Sequence, residues 1–122
     1  MFDMIAYVSF PYSMDHHASK NRAIVGLNKA LASLYRRNPN WVYVNGLYSH
    51  YNNPHIPTET KLGISDALQL SKVLLDSAQV CIVIHAKGWE YSDIVMTEAG
   101  YFSSLNRPIL YEAHDDELFK AS

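Results

Sequence analysis

Val80-Cys81-Ile82-Val83-Ile84 leads through His85-Ala86-Lys87 into Gly88-Trp89-Glu90-Tyr91-Ser92-Asp93-Ile94-Val95-Met96-Thr97-Glu98-Ala99-Gly100-Tyr101-Phe102. The apolar run reads as a strand buried on both faces of a parallel sheet. Ser92 to Leu105 reads as a helix. On a 3.6-residue period Ile94, Glu98, Tyr101 and Leu105 share one face, with Val95, Ala99 and Phe102 beside them. An acid inside an apolar stripe is paired, protonated or functional.

The same alternation of strand and helix extends in both directions. Met4 to Ser9 reads as a first strand, stopped at Phe10-Pro11-Tyr12 because proline donates nothing to a central ladder. Lys20 to Arg37 is an amphipathic helix with Ile24, Leu27, Leu31, Leu34 and Tyr35 inward, ended by Asn38-Pro39-Asn40. Trp41 to Val44 is a second strand. Asn45 to Pro57 is a long polar and aromatic loop of the kind that binds ligands. Thr58 to Ala78 is mostly helical, with Leu62, Leu68, Leu70, Val73, Leu74 and Leu75 as core candidates. Pro108 to Tyr111 is the last strand, and Asp115 to Ser122 is a polar tail read as a short helix. Helix-length crossovers make the strands parallel and place helices on the sheet faces. The expected architecture is one Rossmann-like α/β domain, a three-layer sandwich in flavodoxin-like order. Its parallel sheet would have four to five strands. Ligands of such sheets bind beyond the carboxyl ends of the strands. The segments after the first three strands and the start of the Ser92 helix converge there.

Composition narrows the function classes. The chain has 122 residues, 48% of them hydrophobic, and a net charge of −2. A core of ordinary size is affordable at this length, and disorder is excluded. The ten basic residues are scattered, so nucleic acid held by charge alone is not expected. Cys81 is the single cysteine, which rules out an intramolecular disulfide and suits a reducing compartment. Met4 to Phe10 is too short for a signal peptide, and no run approaches the roughly 20 apolar residues of a membrane span. The expectation is a cytoplasmic protein without membrane attachment. Among the six histidines, His16 and His17 are adjacent and would not share a face of a regular element. No HExxH or cysteine-pair spacing, GxGxxG or P-loop lysine is present, so no metal and no cofactor are expected.

Several short motifs stand in a recognisable order: Tyr7-Val8-Ser9-Phe10-Pro11-Tyr12, Arg22, Ser49-His50, Gly88-Trp89 with Ser92, Glu98-Ala99-Gly100-Tyr101 and Arg107-Pro108. Together they make the chain, from Ile5 to about Tyr111, resemble the nucleoside 2-deoxyribosyltransferase-like superfamily and its small bacterial and phage members. The resemblance implies cleavage of the N-glycosidic bond of a nucleoside or nucleotide, by hydrolysis or by transfer to a second base. It implies Glu98 as nucleophile, Tyr7 approaching it, and a homodimer or higher homo-oligomer. Ser9, Phe10, Tyr12, Arg22, His50, Gly88, Trp89, Ser92 and Asp93 fall to ligand binding. The family's acid before the third strand has Asp66 and Asp76 as candidates. Asp66 is taken as the catalytic one, at the expense of about one helical turn inserted. Ile94 stands where the family has glycine.

The residue types fit that chemistry. Breaking an N-glycosidic bond builds positive charge on the sugar, which a carboxylate stabilises or attacks. Hydroxyls on Tyr7, Ser9 or Ser92 would keep a buried glutamate ionised. Trp89 and Tyr12 offer flat surfaces for a base. The start of the Ser92 helix offers N–H groups to a phosphate. Gly100 would allow a close approach. Plainer readings compete: Glu98 tied to Arg22 or Arg107, Tyr7 as core, Ser92 as an N-cap only, Trp89 as a plug at the sheet edge. The function alternatives are a non-catalytic module that senses or sequesters a nucleotide-derived ligand, and a structural subunit.

Overall fold

In a computed structural model of the chain, residues 4–11, 17–46 and 64–113 are described, with backbone alone for 17–23 and 64–70. The elements run β1 (Met4–Ser9), α1 (His17–Arg37), β2 (Trp41–Val44), α2 (Ile64–Ser77), β3 (Val80–His85), a 3-10 turn (Trp89–Tyr91), α3 (Asp93–Ser104) and β4 (Ile109–Ala113). The sheet is parallel throughout and ordered β2-β1-β3-β4. This is the flavodoxin-like arrangement, a Rossmann-like α/β fold.

The strands are central because their sequences allow it. Ala6, Tyr7, Val8 and Ser9 are all fully buried, and so are the side chains of β3 from Val80 to Ile84. Alternation then divides them between two cores. Ala6, Val8 and Phe10 join Val80, Ile82 and Ile84 against Leu27, Ala30 and Leu34 of α1. Tyr7, Cys81 and Val83 face the other way, against Leu75 of α2 and Val95 and Phe102 of α3. Burying each such aliphatic side chain contributes roughly 1.5–3 kcal/mol.

Side chains lock the connections. The Tyr43 hydroxyl is shared between the carbonyls of Leu34 (3.0 Å) and Asn38 (3.1 Å), which ties the end of α1 to β2. Arg107 donates to the carbonyls of Asp76 (2.6 Å) and Ala78 (2.8 Å) at the exit of α2. Asn106 sits at φ 58° just beyond α3, where asparagine tolerates the left-handed turn that ends a helix.

Three expectations are corrected, two of them about the core. Tyr35 is 57% exposed and Val73 76%. Each lies off the stripe that turns inward, which in α2 is Ser71 and Leu75, continued by Ala78 just past its end, all buried. Among the described residues a Cβ on Gly100 would meet nothing within 4 Å, so that glycine serves no close approach of α3 to the sheet. The segments 12–16, 47–63 and 114–122 lie outside the described residues, including most of the loop after β2 and the tail. No helix among the described residues is long and apolar enough to cross a membrane.

Candidate active site

Glu98 is 4% exposed on the sheet-facing side of α3. The Tyr7 hydroxyl donates to its Oε2, and the Ser9 hydroxyl donates to its Oε1 at 2.8 Å. A side-chain hydrogen bond from Ser71 on α2 also favours the charged form. The Tyr7 oxygen in turn accepts the N–H of Gly46 at 3.0 Å. Beside it, the Asn45 side-chain amide donates to the Val8 carbonyl at 2.6 Å. The end of β1, the turn after β2 and two helices thus meet at one carboxyl group.

Its electrostatics follow from that enclosure. Burial pushes the Glu98 carboxyl up to about 7, and the hydroxyls of Tyr7, Ser9 and Ser71 pull the other way without cancelling it. Cys81 on β3 feels the same carboxylate. Burial, with the charge of Glu98 adding, pushes its thiol up to about 12, so it is no activated nucleophile. Near neutral pH Glu98 is divided between its two forms, and a positive charge placed beside it would draw it fully into the carboxylate.

The location matches the rule for open parallel sheets. The chain leaves β1 towards β2 on one side and reaches β3 on the other, so the strand order switches between β1 and β3. Ser9, the last residue of β1, pairs with Val83. Glu98 sits over that junction, near the carboxyl edge.

The expected site residues divide clearly. Glu98, Tyr7 and Ser9 are brought together. Phe10 is not with them: alternation turns its ring to the other face, where it is 5% exposed and packs so close to α1 that a Cβ on Gly26 would lie 2.7 Å from it. Phe10 is therefore a core residue. Gly88 has φ 86° and open space around it, so the turn needs glycine for its backbone angle. Trp89 stacks flat on His85 (centroids 3.8 Å apart, planes 6° apart), with Tyr111 tilted against both. One face of its indole is thereby covered. Ser92 is the N-cap of α3, its Oγ accepting Val95 N–H at 3.3 Å. Asp93, exposed, opens the helix, and Ile94 beside it is 4% exposed. Arg22 lies in α1 and Asp66 in the first turn of α2, their side chains outside the described residues. Asp66 is about 140° around the helix from Ser71. Tyr12 and His50 lie outside the described residues altogether.

Two alternatives fall away. Asp76 is exposed at the far end of α2, where the Tyr101 hydroxyl donates to it, on the amino-terminal side of the sheet. Arg107 caps α2 and does not hold Glu98.

Ser71 and Gly46 were not expected at the site. Ser71 had a signal, being the polar member of an otherwise apolar i, i+4, i+7 stripe. Gly46 had only a turn-like Asn-Gly pair. The Nε2 of His85 is buried with no hydrogen-bond partner among the described residues. No group of three or more potential metal ligands occurs among the described residues. No family model matches the chain, and no curated protein matches it.

Proposed function

We propose that this chain breaks the N-glycosidic bond of a nucleoside or nucleotide through Glu98. The observation that carries the reading is the buried Glu98 carboxyl, bonded by the hydroxyls of Tyr7, Ser9 and Ser71, near the carboxyl edge at the β1/β3 switch point. Hydroxyl partners leave the negative charge of the carboxylate uncancelled, unlike an arginine or lysine. That suits a carboxylate facing a sugar whose anomeric carbon becomes positive.

In the step, a Glu98 oxygen bonds to the anomeric carbon while the carbon–nitrogen bond breaks. The bonding pair leaves with the base, which takes up a proton. Water or a second base then attacks the same carbon and gives its proton to the group that protonated the leaving base, and the glutamate ester is released as carboxylate. Asp66 remains the candidate proton donor. The cytoplasmic setting and homo-oligomeric assembly belong to the same proposal.

The start of α3 bears on the substrate. Ser92 already caps the helix, and the exposed carboxylate of Asp93 sits at its positive end. A second anion there would be repelled. This favours a nucleoside with a free 5′-hydroxyl over its 5′-phosphate.

The test is a panel of ribo- and deoxynucleosides and their 5′-monophosphates, each with and without a free acceptor base, followed by chromatography of released base. Wild-type protein should release base and Glu98→Gln should not, and dependence on the acceptor identifies a transferase. Equal release by the two proteins would remove Glu98 as nucleophile. A nucleotide that raises the melting temperature without being cleaved would replace the enzyme reading with that of a binding module.

A further inference from the structure

Glu98 receives hydroxyls from three directions, and one of them exists only because a side chain is missing elsewhere. A Cβ on Gly46 would overlap both the Ser71 and the Tyr7 hydroxyl oxygens. We propose that Gly46 and Ser71 are positioning residues for Glu98: the bare backbone at Gly46 opens the space in which the Ser71 and Tyr7 hydroxyls converge, and together they orient the carboxyl group and favour its charged form. This inference rests on the reading of Glu98 as the reacting carboxylate.

Gly46 acts twice. Its missing side chain leaves room, and its N–H occupies a lone pair of the Tyr7 oxygen at 3.0 Å. That fixes the phenol so that its own proton points to Glu98 Oε2. The β1–β2 ladder sets the placement, because Tyr7 pairs with Val44, two residues before Gly46. Ser71 is 2% exposed and shares its stripe with Leu75 and Ala78. A hydroxyl in such a stripe is unfavourable unless it is bonded, and the bond to Glu98 meets that need.

Neither positioning residue carries a charge. Among the described residues, the titratable groups facing Glu98 are Tyr7 from β1 and Cys81 from β3. Replacing Ser71 or Gly46 therefore changes dipoles around the carboxyl and no charges.

The experiment follows the Glu98 carboxyl carbon by NMR in protein labelled with carbon-13 glutamate, its signal identified by its loss in Glu98→Gln. Ser71→Ala should move the titration midpoint upward by about one pH unit. Gly46→Ala should also move it upward. The double variant should shift by less than the sum of the two, since the Ser71 hydroxyl, which a Cβ on Gly46 would displace, is already gone in Ser71→Ala. An unmoved midpoint in Ser71→Ala, or additive shifts, would overturn the proposal. Should Gly46→Ala fail to fold, Ser71→Ala decides alone. The titration needs no substrate, so it judges this inference even if wild-type protein releases no base. If base is released, the acidic limb of its pH profile should move with the NMR midpoint.

Discussion

One short strand builds two different things. Ala6 and Val8 of β1, with Phe10 just beyond, go into an apolar core against α1. Tyr7 and Ser9 point to the opposite face and hold a carboxylic acid. Both sets are buried almost equally, so burial does not separate scaffold from site. What separates them is whether the buried atoms need partners. On the α1 side stability comes from apolar area removed from water. On the α2/α3 side some of that stability is surrendered to keep an ionisable group in place, a trade common at sites of function.

The contrast can be tested one side at a time. Leu27 is fully buried beneath α1. Leu27→Ala should lower unfolding stability by about 3 kcal/mol in urea while leaving the Glu98 titration where it was. A shifted titration would mean that the faces are not separable.

The acid makes an opposite, pH-dependent contribution of similar size. Its carboxyl is raised from 4.5 to about 7, so between those values the folded protein binds more protons than the unfolded chain. Stability should therefore fall as pH rises through that window, by about 3 kcal/mol in all, and level off above it. Glu98→Gln should remove this fall. The measurement is the difference between wild type and variant from pH 4 to 8, and a flat difference would contradict the raised acid.

Tyr7→Phe removes a donor from the charged carboxylate and an acceptor from Gly46 N–H. It should destabilise by about 2 kcal/mol at pH 8 and by less at pH 5, where Glu98 is protonated. Equal losses at the two pH values would show the phenol to be ordinary packing. The smallest effect lies outside both faces. Gly100 is exposed with open space at its missing Cβ, and Gly100→Ala should add up to about 1 kcal/mol of stability. A lower melting temperature would restore a close-approach role to that glycine.

Much of this was legible in the sequence. β1 and β2 follow directly from the apolar runs at Met4–Ser9 and Trp41–Val44, and Glu98 stood out as an acid in an apolar stripe. Local signals carried these because period and polarity are local properties. Phe10 follows the alternation of the strand and not the motif it belongs to: each step along a strand reverses the face, so Ser9 meets Glu98 and Phe10 enters the α1 core. Ser71 went unnoticed because a small neutral side chain disturbs an apolar stripe far less than a glutamate does. Gly46 was invisible for a different reason. The space it leaves is occupied by groups from β1 and α2, and no local pattern records what fills an absence.

Cys81 gives the protein a built-in observer of its own chemistry. The thiol stays protonated across the working pH range and lies within the field of Glu98. As the chain's single cysteine, it contributes one S–H vibration, in a part of the infrared spectrum where few other groups absorb. The frequency of that band should change as the neighbouring carboxylate gains or loses its proton, or meets a cationic sugar. The charge of the candidate nucleophile can thus be followed without a label, a dye or a substitution.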